Sequence, residues 1–248
     1  MFPCVFLDTV GSTNLYLLEL LKAKDLDDFF AVFTTNQTAG RGRMARSWEC
    51  KKGIALSVFL KHNLPGAYIN WLPLVIGLAV VKAVNKMLED ATLPHRADIK
   101  WPNDVLINGK KLSGILIETP SDGNGLIVGI GLNVAVAPIA TSICLRQVGL
   151  QASPKEVVSA LLAEMHTIYQ QLIALAAKDI SFKDSECFGE IMRLCSTINK
   201  TVRVTGTKTF VGVAQGLDSL GRLVIRHSGD TSIVSAGDIE HLRAIDSL

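Results

Sequence analysis

Val105-Leu106-Ile107-Asn108-Gly109-Lys110-Lys111-Leu112-Ser113-Gly114-Ile115-Leu116-Ile117-Glu118 is an apolar run, a two-residue turn and a second apolar run. Asn-Gly is the strongest short-range hairpin signal, because both turn positions need positive φ and these residues tolerate it best. The flanking strands are therefore expected to pair antiparallel. Asp98-Ile99-Lys100-Trp101 reads as a strand just before them, and residues 126–136 as an apolar strand after the turn-rich segment 120–125. Successive strands joined by tight turns point to an antiparallel sheet. A Rossmann arrangement would need helical crossovers between parallel strands.

Working outward, Ser12, Thr13 and Asn14 are all good N-cap residues. Leu15, Leu17, Leu18, Leu20 and Leu21 then give helical spacing to about residue 24. Phe29-Phe30-Ala31-Val32-Phe33-Thr34 and residues 54–60 read as buried strands. Residues 70–90 predict a long buried helix with Pro73 in its first turn. Ser153-Pro154-Lys155-Glu156 combines an N-cap serine, a proline at N1 and a capping-box glutamate, and the helix it starts runs to about residue 177. Residues 182–195 predict one more helix. From Thr201 the pattern changes to short strands punctuated by Gly206, Gly216, Gly221, Gly229 and Gly237, which reads as a small β-barrel. The expected class is α+β: a mixed, mainly antiparallel sheet with packed helices over residues 1–196, and a small C-terminal β-barrel over residues 197–248.

The chain has 248 residues, of which 48% are hydrophobic, enough for a sizeable core. Its net charge of +2 gives no electrostatic case for nucleic acid or membrane as a partner. Cys4, Cys50, Cys144, Cys187 and Cys195 form no CxxC pair and read as free thiols in a reducing compartment. The N-terminus carries no basic leader, and the most apolar run, residues 71–81, is too short to span a bilayer. A cytoplasmic location is expected. The five histidines lack ligand spacing, so no structural metal is expected.

Chemistry concentrates in four places. Residues 40–48, GRGRMARSW, put Arg41, Arg43 and Arg46 beside Trp48 in a loop of roughly 15 to 18 residues, longer than ordinary connections. Gly40 and Gly42 permit close approach of a ligand. Guanidiniums suit carboxylate and phosphate oxygens, and the indole offers a stacking face. The loop therefore suits a ligand anionic at one end and aromatic at the other. Its glycines and its guanidiniums, expected to lack partners, predict mobility until a phosphate arrives. Lys100-Trp101-Pro102-Asn103-Asp104 ends a strand with an amide and a carboxylate side by side; the ordinary alternative is an Asn-Asp turn. Lys111 precedes Gly114, a glycine inside a strand, and Asn133 is an isolated amide in an apolar run. Gly129-Ile130-Gly131-Leu132-Asn133 lacks the third glycine and the following helix of a dinucleotide motif.

Taken in order, Ser12-Thr13-Asn14, Gln37, residues 40–48, residues 100–104, Lys111 to Gly114 and Gly131 to Asn133 resemble biotin protein ligase, over essentially the whole chain and in the form lacking an N-terminal DNA-binding domain. The resemblance implies a catalytic domain like that of the class II synthetases and ATP-dependent ligation of biotin to a lysine of a biotin carboxyl carrier protein, through biotinyl-5′-AMP. It implies Lys111, Arg43 and Asp104 as catalytic residues. Ser12, Thr13, Asn14, Gln37, Gly40, Arg41, Gly42, Lys111 and Gly114 would hold biotin. Arg43, Arg46, Trp48, Lys100, Asn103 and Asn133 would hold ATP, and Asp104 would reach Mg²⁺ through water. The implied partners are biotin, ATP and the carrier domain of a carboxylase, with neither DNA nor membrane, and the reading is compatible with a homodimer. Ala45 departs from the glycine usual in this family at that position. The alternatives are a lipoate or octanoyl ligase or transferase on the same scaffold, and a non-catalytic protein that binds biotin or nucleotide.

Overall fold

The computed structural model describes residues 3–61, 64–205, 209–235 and 238–241. Seven strands form the larger sheet: β1 (Cys4–Phe6), β2 (Phe30–Gln37), β3 (Cys50–Leu60), β4 (Ala97–Lys100), β5 (Asp104–Ile107), β6 (Lys110–Glu118) and β7 (Leu126–Leu132). Their order is β1-β2-β3-β7-β6-β5-β4, and only the β1–β2 pair is parallel. Asn108 (φ 52°) and Gly109 (φ 72°) close the β5–β6 hairpin with the two positive angles that this dipeptide favours.

Alternation along the strands separates two faces. Ile54, Leu56, Val58 and Leu60 of β3 and Val128, Ile130 and Leu132 of β7 pack into the main core. That face is covered by two helices, α3 (Leu72–Asp90) and α4 (Pro154–Ala177), preceded by the short α2 (Gly66–Ile69). α3 is apolar nearly all round, as a helix buried between a sheet and other helices must be. The opposite face carries α1 (Thr13–Ala23), whose Leu17 packs with Phe59 and Ile127. Ser12 caps α1 through its hydroxyl, and Ser153 with Glu156 forms the expected capping box on α4.

Three boundaries differ from the sequence reading. β2 runs on to Gln37 and β3 starts at Cys50, so the arginine loop spans only residues 38–49, shorter than expected. Residues 182–195 are not one helix: Ser185 is extended (φ −93°, ψ 155°) and caps α5 (Glu186–Leu194) after a single 3₁₀ turn. The apolar run from residue 126 leaves the sheet after Leu132, because Asn133 turns its amide inward to bond backbone carbonyls.

The C-terminal strands are β8 (Thr201–Thr205), β9 (Phe210–Leu217), β10 (Leu223–His227), β11 (Asp230–Val234) and β12 (Asp238–His241). They form an antiparallel five-stranded sheet in the order β11-β10-β9-β8-β12. Gly206 and Gly237 lie outside the described residues. The sheet is seated firmly on the larger unit. The indole N–H of Trp101 donates to Gly221 O (2.9 Å), that of Trp71 to Ser219 O (3.1 Å), and the Trp101 amide to Thr197 Oγ1 (3.0 Å). Val202, Val204, Leu223, Ile225 and Ile239 join the same apolar cluster as α3 and α4. Among the described residues, no helix is long and apolar enough to cross a membrane.

Candidate active site

On the α1 face of the larger sheet lies a cavity of about 250 Å³, walled by the first turn of α1, the loop 38–49, the β4–β5 turn, β6 and β7. Glycines make the room. A Cβ on Gly129 would stand 2.5 Å from Asn14 Oδ1, and one on Gly131 would stand 2.1 Å from the Trp48 indole. Only hydrogen lets α1 and Trp48 approach these strands so closely.

One end of the cavity is a buried hydrogen-bond array. The main-chain N–H and hydroxyl of Thr13 donate to Gln37 Oε1 (2.9 and 3.3 Å). Ser57 Oγ lies 2.7 Å from Thr13 Oγ1 and 2.5 Å from Asn14 Oδ1, and Asn14 Nδ2 donates to Glu118 Oε2 (2.7 Å). Ser12, Thr13, Asn14 and Ser57 are all buried, so each amide and hydroxyl is held in one orientation.

The arginine loop is itself a small hairpin, with a bridge between Arg41 and Ser47 and a 3₁₀ turn, Arg43–Ala45, in which Met44 has φ 54°. The Trp48 amide donates to Gly40 O (2.9 Å) and the Gly42 amide to Arg46 O (2.7 Å). The expectation that its guanidiniums lack partners fails. Arg41 Nη2 reaches both carboxylate oxygens of Glu118 (2.7 and 2.8 Å), and Arg43 Nη1 donates to Asn103 Oδ1 (3.2 Å).

At the other end, cations gather round one carboxylate. Lys111 Nζ lies 2.6 Å from Asp104 Oδ1, and that oxygen rests on the ion pair alone, with no aligned hydrogen bond. Lys111 Nζ also stands 5.4 Å from the centre of the Trp48 ring. A register shift puts the lysine there. Val105 pairs with Ser113, but Leu106 pairs with Lys111, so β6 carries one extra residue. The bulge reverses the alternation, which brings Lys111 to the face of Gly114, Asp104's partner. Lys100 is pushed below the ordinary lysine range by burial first, then by Lys111 and Arg46, against the pull of Asp104 and Glu240. Burial, and then Arg46, lowers Arg43, while Asp104 opposes them.

Ser12, Thr13, Asn14, Gln37, Arg41, Gly42, Arg43, Arg46, Trp48, Lys100, Asn103, Asp104, Lys111 and Gly114 all line this cavity. Gly40 and Asn133 do not line it. Gly40 lies tight against the Gln37 side chain and Trp48 O, with no space for a Cβ. Asn133 is buried behind β6, where its Nδ2 donates to Lys111 O (3.3 Å) and Ile143 O (3.1 Å). Asn103 Nδ2 donates to Ile115 O (2.7 Å), so that amide holds the wall as well as Arg43. Three participants escaped the sequence reading: Ser57, Glu118 and Ile239. Ser57 was visible as a hydroxyl inside an apolar run, and Glu118 as an acid closing one. Ile239, which comes to the wall from β12, had no signal.

Residues 6–134 match the model of the biotin/lipoate A/B protein ligase family, and residues 197–242 match the biotin protein ligase C-terminal domain. A biotin–[acetyl-CoA-carboxylase] ligase of Mycobacterium tuberculosis is 36% identical over 94% of this chain and 86% of its own length. A second, from Paracoccus denitrificans, is 30% identical over 92% of this chain and 96% of its own. The structure of a biotin protein ligase from Aquifex aeolicus in complex with biotin and ATP superposes with a TM-score of 0.77, covering 98% of this chain and all of that one at 26% identity. By sequence match over more than half its length and by fold, the chain belongs to the biotin/lipoate A/B protein ligase family.

Proposed function

We propose that this chain uses ATP to join biotin to a lysine of a carboxyl carrier protein, within the cavity of residues 12–14, 37, 41–48, 100–104 and 111–114. The observation that carries the reading is the Lys111–Asp104 pair, set between a buried hydrogen-bonding array and an arginine loop ending in an indole. Biotin has the matching sequence of groups: a polar ureido ring, an apolar stem and a carboxylate that must meet a phosphate.

In the first step a carboxylate oxygen of biotin attacks the α-phosphorus of ATP. The bond to the bridging oxygen breaks, and pyrophosphate leaves with biotinyl-5′-AMP formed. In the second, the carrier lysine's amine attacks the anhydride carbonyl, AMP leaves with the electrons of the broken C–O bond, and the amine gives up a proton. Both steps spread negative charge about one phosphorus, and fixed cations stabilise such charge best when they are already in place. Lys111 is assigned to the junction of carboxylate and α-phosphate, Arg43, Arg46 and Lys100 to the phosphates, and Trp48 to the adenine face. Ser12, Thr13, Asn14 and Gln37 take the ureido ring, with Arg41, Gly42 and Gly114 around it and Gly40 supporting Gln37 from behind. Asn103 and Asn133 remain at the nucleotide end of this proposal. Their N–H groups are engaged with backbone carbonyls, so direct adenine contact through them requires exchange of those bonds.

Mg²⁺ binds oxygen ligands, keeps several waters and commonly travels with substrate phosphates. Among the described residues no three His, Cys, Asp or Glu side chains converge. Asp104 is the acidic side chain in the cavity wall, so the residues fit a metal carried by ATP and met by Asp104 through water. When bound it would neutralise phosphate charge. A cytoplasmic setting suits the five free cysteines. Residues 1–196 would act as the catalytic unit and 197–248 as its appended barrel.

Mass spectrometry after incubation with ATP and either biotin or lipoate tests the reading. An adenylate with biotin alone supports it. One with lipoate alone transfers the assignment to lipoate ligation, and none with either leaves a non-catalytic binder.

A further inference from the structure

Glu118 closes β6 at the rim of the cavity and makes contacts that reach two other elements. Its Oε1 and Oε2 accept from Arg41 Nη2 (2.7 and 2.8 Å), and Oε2 also accepts from Asn14 Nδ2 (2.7 Å). Its side chain is 21% exposed, against 41% for that of Arg41, so the pair is partly shielded. Asn14 is 4% exposed and continues inward to Ser57, Thr13 and Gln37. One continuous polar chain thus runs from β2 and β3 through the first turn of α1 to Glu118 and out to the arginine loop.

We infer that Glu118 is a positioning residue that latches the arginine loop to the first turn of α1. The inference rests on the reading of this cavity as the ligase site. The physical case is that Arg41 occupies the first arm of the loop hairpin, paired with Ser47 across it. Holding Arg41 therefore holds Trp48 over Gly131 and Gly114. The carboxylate is also the acceptor that orients Asn14: with its Nδ2 directed to Glu118, the Asn14 amide keeps Oδ1 turned toward Ser57. A carboxylate shared between an amide and a guanidinium couples the two, since charge-assisted bonds of this kind are stronger than neutral ones and depend on geometry. Glu118 touches no reacting atom. It sets the cover and the polar end of the cavity in register with each other.

The test uses the full chain as Glu118→Gln, Glu118→Ala and Arg41→Gln, with the Glu118→Gln/Arg41→Gln double variant. Amide hydrogen exchange of residues 38–49 is measured without ligand, and steady-state KM for biotin is measured separately from kcat. The latch predicts that Glu118→Gln, which keeps the size and loses the charge, lowers protection at Gly42 and Trp48 about tenfold, the scale of a charge-assisted pair partly open to water. KM for biotin rises by a similar factor while kcat at saturation changes less than about threefold. The double variant behaves like Arg41→Gln alone, because a glutamine amide oxygen still accepts from Asn14 and both single changes therefore remove the same ion pair. Unchanged exchange in both Glu118 variants overturns the inference, as do single effects that multiply in the double variant. If the exchange results hold but the wild-type chain never forms biotinyl-adenylate, the latch stands and the functional reading fails.

Discussion

Lys111 and Asp104 sit 2.6 Å apart across the β5–β6 hairpin, and they meet because β6 carries a bulge between Lys111 and Ser113. The pairing keeps a cation at the surface of the cavity in the absence of substrate. An arriving carboxylate or phosphate oxygen competes with Asp104 for an ammonium already in place, so the lysine needs no large movement when charge develops.

Lys111→Ala removes that cation and leaves β6 intact. The expected loss in single-turnover adenylation is on the order of 10² to 10³, the usual scale for one transition-state donor. The residue acts as a fixed charge beside the developing phosphate and not as a base, so a neutral side chain of any size at this position should share the loss. Near-normal adenylation by the variant would remove Lys111 from the mechanism.

Gly131→Ala places a methyl group 2.1 Å from the Trp48 ring, which must move away. The glycine has no positive φ, so the backbone accepts alanine and the effect is confined to the indole. Expected outcomes are a shift of tryptophan emission and a rise of about tenfold in KM for ATP, on the scale of one lost aromatic stacking contact. Gly66→Ala, where a Cβ meets nothing within 4 Å, is the control. Equal ATP affinity in Gly131→Ala and wild type would show that Trp48 does not carry nucleotide.

The arginine loop should be cut by trypsin after Arg43 or Arg46 at a rate that biotin plus ATP suppresses at least tenfold. Arg43 has Asn103 as a partner without ligand, and phosphates would add charge-assisted bonds on the same face. Cleavage at the same rate with and without both substrates would exclude closure on ligand.

His241 gives the fold an acid-sensitive joint. Its Nε2 lies 3.0 Å from Thr197 Oγ1, and burial first, then Lys100 and Lys200, pushes its pKa from 6.5 down to about 4. A folded pKa below the unfolded one means that the unfolded chain binds the proton more readily. The contribution is thus fully present above pH 6.5 and is lost as pH falls toward 4, at about 1.4 kcal/mol per pH unit inside that window. Urea midpoints at pH 7.5, 6.5 and 5.5 should fall less steeply for His241→Gln than for wild type. Parallel slopes would exclude this histidine.

Much of this was legible from local chemistry. The Asn108-Gly109 turn, the Ser12 cap, the Ser153–Glu156 box and the arginine loop depend on neighbours in sequence, and each stands where its residues imply. Pairing at a distance was not legible. Nothing near Glu118 announces that Arg41 and Asn14 will share it, and nothing near Asn133 announces that its amide will hold the main chain of Lys111. The β6 bulge was also hidden, because Lys111 and Gly114 stand at an odd spacing that simple alternation assigns to opposite faces. The guanidiniums were expected to lack partners because acceptors as distant in sequence as Glu118 and Asn103 leave no local signal.

Ile239, on the last described strand, gives the cavity a wall, although all of its other lining residues among those described lie before residue 132. The ribosome therefore releases the lysine, the arginines and the glycine floor well before it releases the segment that completes the enclosure. A growing polypeptide carries the reactive groups in an unfinished chamber. A mixed anhydride made there would be open to water, and the chamber closes only once the segment that carries Ile239 has been added.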